Sequence, residues 1–352
     1  MHQSGELLTD DLVTALKAAA EPTRLRILLL LAAGELNVKD LTVILGQSQP
    51  RISRHLKLLS EAGLVERFRE GSWVYFHISD RSAGGRLALR LVADVAATDA
   101  AVRRDNDRAN ALKRERETAA QGFFEKHAAD WDSMRSLHLS ERDVEGAMLS
   151  VMGPGPFNFL VDLGTGTGRT LELFAPRYQR SLGIDVNQSM LTYARAKLAN
   201  AGLSNAQVRH GNIYALSLAD GQADAIVMHQ VLHFLSDPAL AIREAARVLA
   251  PGGRLLIVDF APHDLEFLRE AQAHERLGFS HALVDQWLSD AGLKPKVARD
   301  LAAPRTGSGS GSISGADGAQ LIVSLWLAEK PVTSRVTSQK QQKSQTNLEE
   351  AR

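Results

Sequence analysis

The chain has 352 residues, 44% of them hydrophobic and 23% charged, which suits a globular protein of about two domains. Its 41 Lys and Arg balance 41 Asp and Glu, so whole-chain charge gives no hint of nucleic acid and any basic surface must be local. It has no cysteine, which excludes disulfides, thiolate metal sites and a cysteine nucleophile.

The opening residues, Met1 to Leu12, lack a basic segment followed by an apolar core, and the longest apolar run, Ile27 to Ala33, is too short to span a bilayer. The expectation is a cytoplasmic protein without a membrane partner. Leu12, Leu16 and Ala19 begin a first helix. Pro22 stands where a helix can start, and Arg24 to Ala33 keeps apolar residues at helical spacing until Gly34. Val38 to Leu45 reads as a short helix and Gly46-Gln47 as a tight turn. Ser48 then caps a helix running to about Ala62, closed by Gly63. Two helices around a glycine turn form a helix-turn-helix.

In the second of these helices Ile52, Leu56 and Leu59 face inward. Ser48, Gln49, Arg51, Ser53, Arg54, His55 and Lys57 are left for the other faces, where such donors suit base edges and phosphates. Leu64 to Arg69 and Trp73 to Ile78 alternate around Glu70-Gly71-Ser72, a β-hairpin pattern with Arg67 and Arg69 on its first arm. From Ser48 to Arg69 five Lys and Arg face only Glu61 and Glu66, so this surface is locally basic.

Three blocks, Glu21-Pro-Thr-Arg-Leu-Arg-Ile-Leu, Ser48-Gln-Pro-Arg-Ile-Ser-Arg-His-Leu-Lys-Leu-Leu and Glu61-Ala-Gly-Leu-Val, resemble the ArsR family of winged-helix repressors over about residues 8–80. The resemblance implies a homodimer on double-stranded operator DNA, with one helix in the major groove and the hairpin as a wing. That family's metal sensors use thiolates or clusters of His and carboxylates. Thiolates are absent here, and the stretch from Ser82 has no His before His127, so no metal is expected and the effector must be something else.

Residues 82–118 lack proline and are heavily charged. Leu87, Leu91, Val95 and Val102 fit one helical face, followed by Arg103 to Arg108 and Lys113 to Glu117 with mixed signs. The reading is one long helix, oligomerising first and then a solvated spacer.

From about 120 to 330 apolar strands alternate with helical patterns, an α/β signature. Phe159 to Leu163 is a buried-strand pattern that runs into Gly164-Thr-Gly-Thr-Gly168 and then a helical stretch. A glycine loop between strand and helix lets a ligand approach the backbone. A dinucleotide loop would need glycine where Arg169 stands, and Asp162 would repel a pyrophosphate but suit a ligand carrying an ammonium and a sulfonium. Both details favour S-adenosylmethionine over NAD. The strand Ser181 to Asp185 ends in a carboxylate near the spacing of an acid that binds ribose hydroxyls. A third strand near Val208 leads to Gly211-Asn212-Ile213, Ala223 to Met228 is a fourth, and Pro251 to Asp259 is a turn followed by a fifth.

With His229-Gln-Val-Leu-His-Phe-Leu and Arg247-Val-Leu-Ala-Pro-Gly-Gly, these blocks resemble class I S-adenosylmethionine-dependent methyltransferases of the UbiE-like group over about residues 120–330. The resemblance implies an α/β Rossmann-like, seven-stranded sheet whose last strand, expected at Leu321 to Ala328, is antiparallel. By position, Asp162, Gly164, Thr165, Gly166 and Gly168 would hold the methionine end, Asp185 the ribose, and Asn212 and Ile213 the adenine. His229, Gln230 and His233 lie just beyond the fourth strand, where the methyl group should face. His229, which would also touch the cofactor, and His233 are the candidates to orient or deprotonate an acceptor. His263, Arg276 and His281 are further candidates, and each histidine reads equally well as a hydrogen-bonded structural residue. Met228-His-Gln-Val in place of an Asn/Asp-Pro-Pro-aromatic motif argues against N-methylation of DNA. The lack of cysteine argues against C5-cytosine and thiolate-based arsenite methylation.

Phe123-Phe124 to Trp131-Asp132 resembles the aromatic helix that caps the cofactor in this group. It follows the long helix from the DNA-binding half, so two arrangements stay open: a cap that moves with cofactor occupancy, or two independent modules on a stiff tether.

The expected architecture is therefore multidomain: a winged helix-turn-helix, mainly α with a β-hairpin wing, over 1–81; a dimerisation and linker helix over 82–119; a methyltransferase domain over 120–330, with a Gly/Ser-rich loop from Arg305 to Gly318; and a disordered tail over 331–352. The functional expectation is a DNA-binding regulator with a domain for S-adenosylmethionine or S-adenosylhomocysteine. The alternative is an active small-molecule methyltransferase that regulates its own operon.

Overall fold

The computed structural model describes residues 6–70, 73–79, 82–127, 141–301 and 321–332. The N-terminal unit contains α1 (Thr9–Ala19), α2 (Pro22–Ala32), β1 (Leu36–Asn37), α3 (Val38–Leu45), α4 (Gln49–Glu61), β2 (Glu66–Glu70) and β3 (Trp73–His77). Each start has a local cause. Pro22 opens α2 while the Glu21 carboxylate accepts the Arg24 N–H at 2.8 Å. Asn37 and Asp40 form a capping box on α3, and Gly46, at φ 65°, closes it. Ser48 occupies the cap position of α4 as expected, but its hydroxyl makes no capping hydrogen bond. Ile52, Leu56 and Leu59 are buried against Ile27, Leu28, Leu41 and Ile44, which fixes α4 by its apolar stripe. The three strands pair antiparallel in the order β1-β3-β2. The hairpin begins at Glu66 rather than Leu64, because Leu64 and Val65 turn into the core.

The single helix expected over 82–118 is two helices, α5 (Ala83–Ala93) and α6 (Ala100–His127). Asp99 restarts the helix by accepting the N–H groups of Ala101 and Val102 at 2.8 and 3.1 Å. Val95 thus lies between helices and does not continue the face of Leu87 and Leu91. The first half of α6 is also not a solvated spacer. Asp105 is 2% exposed and receives Arg26 through two 2.6 Å hydrogen bonds, and Arg108 donates to the Ile44 carbonyl at 3.1 Å. The helix runs on to His127, beyond the boundary expected at 119.

The C-terminal unit contains α7 (Glu141–Met152), β4 (Phe157–Leu163), α8 (Arg169–Phe174), β5 (Tyr178–Asp185), α9 (Gln188–Asn200), β6 (Ala206–His210), β7 (Ala223–His229), α10 (Pro238–Val248), β8 (Leu249–Phe260), α11 (Phe267–Ala271), α12 (His281–Asp290), β9 (Lys294–Leu301) and β10 (Val323–Glu329). Its seven strands take the order β6-β5-β4-β7-β8-β10-β9. β4 to β8 pair in parallel, and β10 runs antiparallel to both neighbours, at the place expected for the last strand. Strand alternation sorts the core onto two faces. Along β4, Leu160 joins one layer with Leu171, Phe174 and Leu191, while Val161 and Leu163 join the other with Ile242, Val248 and Trp287. The strand order reverses beside β4, so the carboxyl ends of β4, β5 and β7 leave a crevice there.

The hairpin tip Gly71-Ser72, the segment holding Trp131 and Asp132, the Arg305 to Gly318 stretch and the tail beyond 332 lie outside the described residues. Among the described residues no helix is long and apolar enough to cross a membrane, and no three His, Asp or Glu are placed to hold a metal ion.

Candidate functional site

A cavity opens at that crevice. Its floor is the Gly164-Thr165-Gly166 loop after β4, with Asp185 at the end of β5, Asn212, Ile213 and Tyr214 after β6, and His229, Gln230 and Val231 after β7. Phe124 and Gln121 of α6 and Phe234 complete the wall. Gly164 has φ 73°, and a Cβ there would sit 2.4 Å from Val231 Cγ2, so only glycine fits. The N–H groups of Gly164 and Thr165 both donate to the Ile184 carbonyl, at 2.8 and 3.1 Å, which anchors the loop on β5.

Asp185 organises the loop from the other side. Its Oδ2 accepts the Gly166 N–H and its Oδ1 accepts the Asn187 N–H, both at 2.8 Å. Burial pushes its pKa above the ordinary carboxylate value, against the pull of the Asn187 and Gly166 N–H groups. Asn212 turns its side-chain oxygen onto the Tyr214 N–H at 2.9 Å, holding that stretch at the cavity edge. Phe124 and Phe234 meet edge to face at 4.7 Å. Asn187 Nδ2 donates to the Gln121 carbonyl at 3.3 Å, tying α6 to the start of α9.

On the N-terminal unit, α4 presents Ser48, Gln49, Arg51, Ser53, Arg54 and Lys57 as exposed side chains, and β2 presents Arg67 and Arg69. His55 stands apart: it is half-buried, 3.7 Å from the Glu21 carboxylate, and burial lowers its pKa.

Comparison with known proteins matches each of the two units to a family. A family described as bacterial regulatory protein, arsR family, matches residues 21–67, and one described as methyltransferase domain matches residues 161–257. The ubiquinone/menaquinone biosynthesis C-methyltransferase UbiE of Marinomonas sp. (strain MWYL1) is 32% identical over 172 residues, 47% of this chain and 67% of that protein. The chain belongs to the UbiE-like methyltransferases and carries an ArsR-family domain ahead of the methyltransferase fold. The uncharacterized methyltransferase YcgJ of Bacillus subtilis is 35% identical over 106 residues, 30% of this chain, and the chain spans only 42% of that relative's length. A methyltransferase structure solved with the Haloferax volcanii Trm112 methyltransferase activator matches with a TM-score of 0.51 at 21% identity, covering 60% of this chain and 97% of that one, a likeness of fold alone.

Within this methyltransferase fold the structure brings Gly164, Thr165, Gly166, Asp185, Asn212, Ile213 and His229 to one cavity. Asp162 and Gly168 are not among its lining. Asp162 is 1% exposed inside the end of β4, and Gly168, at φ 80°, starts α8 with its N–H on the Thr165 carbonyl. His233 lies behind the wall. It is 2% exposed, and its Nδ1 donates to Asp259 Oδ1 at 2.7 Å, which fixes its ring while its neighbour Phe234 faces the cavity. His281 pairs with Asp300 at 3.1 Å, and Arg276 belongs to the contact between the two units. Gln121, Thr170 and Tyr214 were not legible as lining residues. Tyr214 directly follows Asn212-Ile213 and could have been read from that adjacency, whereas Gln121 sits on a helix whose facing only the tertiary structure decides.

Proposed function

We propose that this chain is a DNA-binding transcriptional regulator whose methyltransferase domain binds S-adenosylmethionine or S-adenosylhomocysteine, coupling the level of a methyl-cycle metabolite to transcription. The observation that carries the coupling is α6. One helix places Asp105 in the winged-helix core and Phe124 in the cavity wall. Two sites biased through one shared element is what allosteric coupling requires.

The residues present fit the cofactor. A side chain at position 164 would strike Val231 in the cavity lining, so the loop presents backbone there, and Gly164, Thr165 and Gly166 would hold the methionine end. Each Asp185 oxygen takes one backbone N–H and keeps acceptor capacity for the ribose hydroxyls. Asn212 and Ile213 would flank the adenine. The group supplies a methyl bonded to a cationic sulfur. Around it, Phe124 and Phe234 exclude water, and in S-adenosylhomocysteine the same pocket would hold an effector.

The DNA partner is read by α4 and the hairpin, whose exposed donors suit phosphates and base edges. The homodimer is supported by Leu8, Leu12, Val13 and Leu16, exposed at 76, 37, 41 and 42%, a run that a second copy would cover.

A second reading, a working small-molecule methyltransferase that regulates its own operon, is favoured by Gln230. It holds φ 52° beside His229 in the cavity wall, a conformation that non-glycine residues keep at functional sites. In that reading His229 orients or deprotonates the acceptor and Gln230 helps orient it.

Titrating S-adenosylhomocysteine into the protein bound to a labelled promoter fragment tests the coupling. A change in DNA affinity is expected, and an unchanged affinity with confirmed ligand binding would sink it. Transfer of radiolabel from S-adenosylmethionine to a small molecule in cell extract tests the second reading.

A further inference from the structure

The hairpin of the N-terminal unit has two faces with different company. β2 and β3 pair Phe68 with Tyr75 and Glu70 with Trp73 on one face, and Arg67 with Phe76 and Arg69 with Val74 on the other. The first face is seated on the methyltransferase domain. Leu277 N–H donates to Glu70 Oε1 at 2.7 Å, and Arg269 Nη2 donates to the same oxygen at 3.1 Å. The Arg269 guanidinium covers the Trp73 ring at 3.8 Å, and Arg276 covers Tyr75 at 4.3 Å. Arg276 also reaches Glu35 at 2.9 Å and Glu70 at 3.5 Å. The side chains of Glu70, Arg269 and Arg276 are only 5, 8 and 2% exposed, so this is a desolvated contact and not a surface ion pair. Arg67 and Arg69 remain exposed on the opposite face.

The outer end of the hairpin needs such a seat. β1 pairs with β3 only at Phe76 and Tyr75, and on the other face Phe76 and Val74 pack on the N-terminal core, so among the described residues this support stops short of Glu70 and Trp73. Beyond that support the ribbon's outer end is two strands only, which is marginal in water, and ordering it on DNA would cost affinity.

We infer that the methyltransferase domain is a brace for the wing: it holds the hairpin from behind through Glu70, Trp73 and Tyr75, in a posture that keeps Arg67 and Arg69 exposed where DNA phosphates would lie. Both engagements coexist because strand alternation puts them on opposite faces. Glu70, Arg269 and Arg276 are positioning residues for DNA binding and do not touch it. The inference rests on the reading that the hairpin contacts DNA.

The test uses the full chain, a fluorescent mixed-sequence duplex of about 30 base pairs, and anisotropy at several salt concentrations. Glu70→Gln removes a negative charge and Arg269→Gln a positive one. Simple electrostatics predicts opposite effects, tighter binding for the first and weaker for the second. The brace predicts that both weaken binding at least about threefold, with the salt slope shrinking by up to about 1.8, two phosphate contacts at roughly 0.9 each. Arg67→Gln should then cost less in the Arg269→Gln background than in the wild type. Glu70→Gln that folds and binds as tightly as wild type overturns the brace. If Glu70→Gln does not fold, the Arg269→Gln cycle decides, and full additivity with Arg67→Gln overturns it. A wild-type chain with no salt-dependent affinity for the duplex would instead remove the DNA-binding reading itself.

Discussion

Asp185 Oδ2 accepts the Gly166 N–H at 2.8 Å, so the carboxylate that ends β5 and the glycine loop that follows β4 hold one another in place. The other oxygen is fixed by Asn187. A charge-assisted hydrogen bond contributes about 1.5–3 kcal/mol, so Asp185→Ala should weaken S-adenosylhomocysteine binding about ten- to a hundredfold in calorimetry. The pH dependence has a definite sign. Burial raises the Asp185 pKa in the fold, so its contribution to stability is present below the unfolded value and is lost as pH rises through the folded value. At neutral pH the ionised carboxylate is then a standing cost in the ligand-free fold, which ribose donors would relieve. Ligand affinity should therefore fall on acidification, starting at higher pH than for an exposed aspartate. A flat affinity between neutral and mildly acid pH would contradict the assignment.

Gly164 faces Val231 across the cavity floor. Gly164→Ala would place its Cβ 2.4 Å from Val231 Cγ2 at a φ of 73°, so the loop or the Val231 segment must move. We expect ligand binding to be lost and stability to fall by about 1–3 kcal/mol, the usual range for overpacking. Adding Val231→Ala should restore only part of it. The two Cβ atoms would still lie 2.8 Å apart, and the left-handed backbone strain stays. Full rescue by the double substitution would show that backbone conformation matters less here than side-chain space.

His229 and His233 sit four positions apart and should behave in opposite ways. His233 is buried on Asp259, whose carboxylate also accepts the His233 and Phe260 N–H groups at 3.3 and 2.8 Å. Breaking that cluster with His233→Ala should cost about 2–4 kcal/mol in denaturant unfolding, through a cavity and a buried acceptor without its donor. His229 ends β7 in the cavity wall, so His229→Ala should leave the midpoint nearly unchanged and alter ligand binding or methyl transfer. A stable His233→Ala protein that binds ligand normally but cannot transfer methyl would restore His233 to a chemical role.

How far the sequence alone reaches is clear at these positions. Gly164, Asp185 and Asn212 were legible because loop, strand end and spacing are local patterns, and local patterns survive folding. The facing of His233 was not. It depends on Asp259, 26 residues later on the neighbouring strand, and no local period reports that pairing. The helix break was missed for a different reason. Residues 94–99 contain no glycine or proline, and the signal was one acidic cap, Asp99, in a stretch already rich in charge. The charged run from Arg103 to Arg108 looked like a solvated face because buried ion pairs leave no mark in composition.

Asp105 tests that last point. It accepts both arms of the Arg26 guanidinium at 2.6 Å across 79 positions of sequence, and the hydrogen bond to Asp105 is the main reason the Arg26 pKa is raised. Removing one partner of a buried pair leaves the other uncompensated, at about 3–5 kcal/mol. Arg26 keeps 20% of its side chain in solvent, which lowers the expectation for Asp105→Ala to about 2–3 kcal/mol. If the front of α6 were only a solvated spacer, the loss would stay within about 0.5 kcal/mol, as for surface substitutions. The larger loss would also loosen the helix that carries Phe124, so ligand affinity should fall in the same variant although Asp105 lies far outside the cavity lining. Unfolding midpoint and calorimetric affinity measured on one preparation separate the two accounts, because a spacer predicts that neither moves.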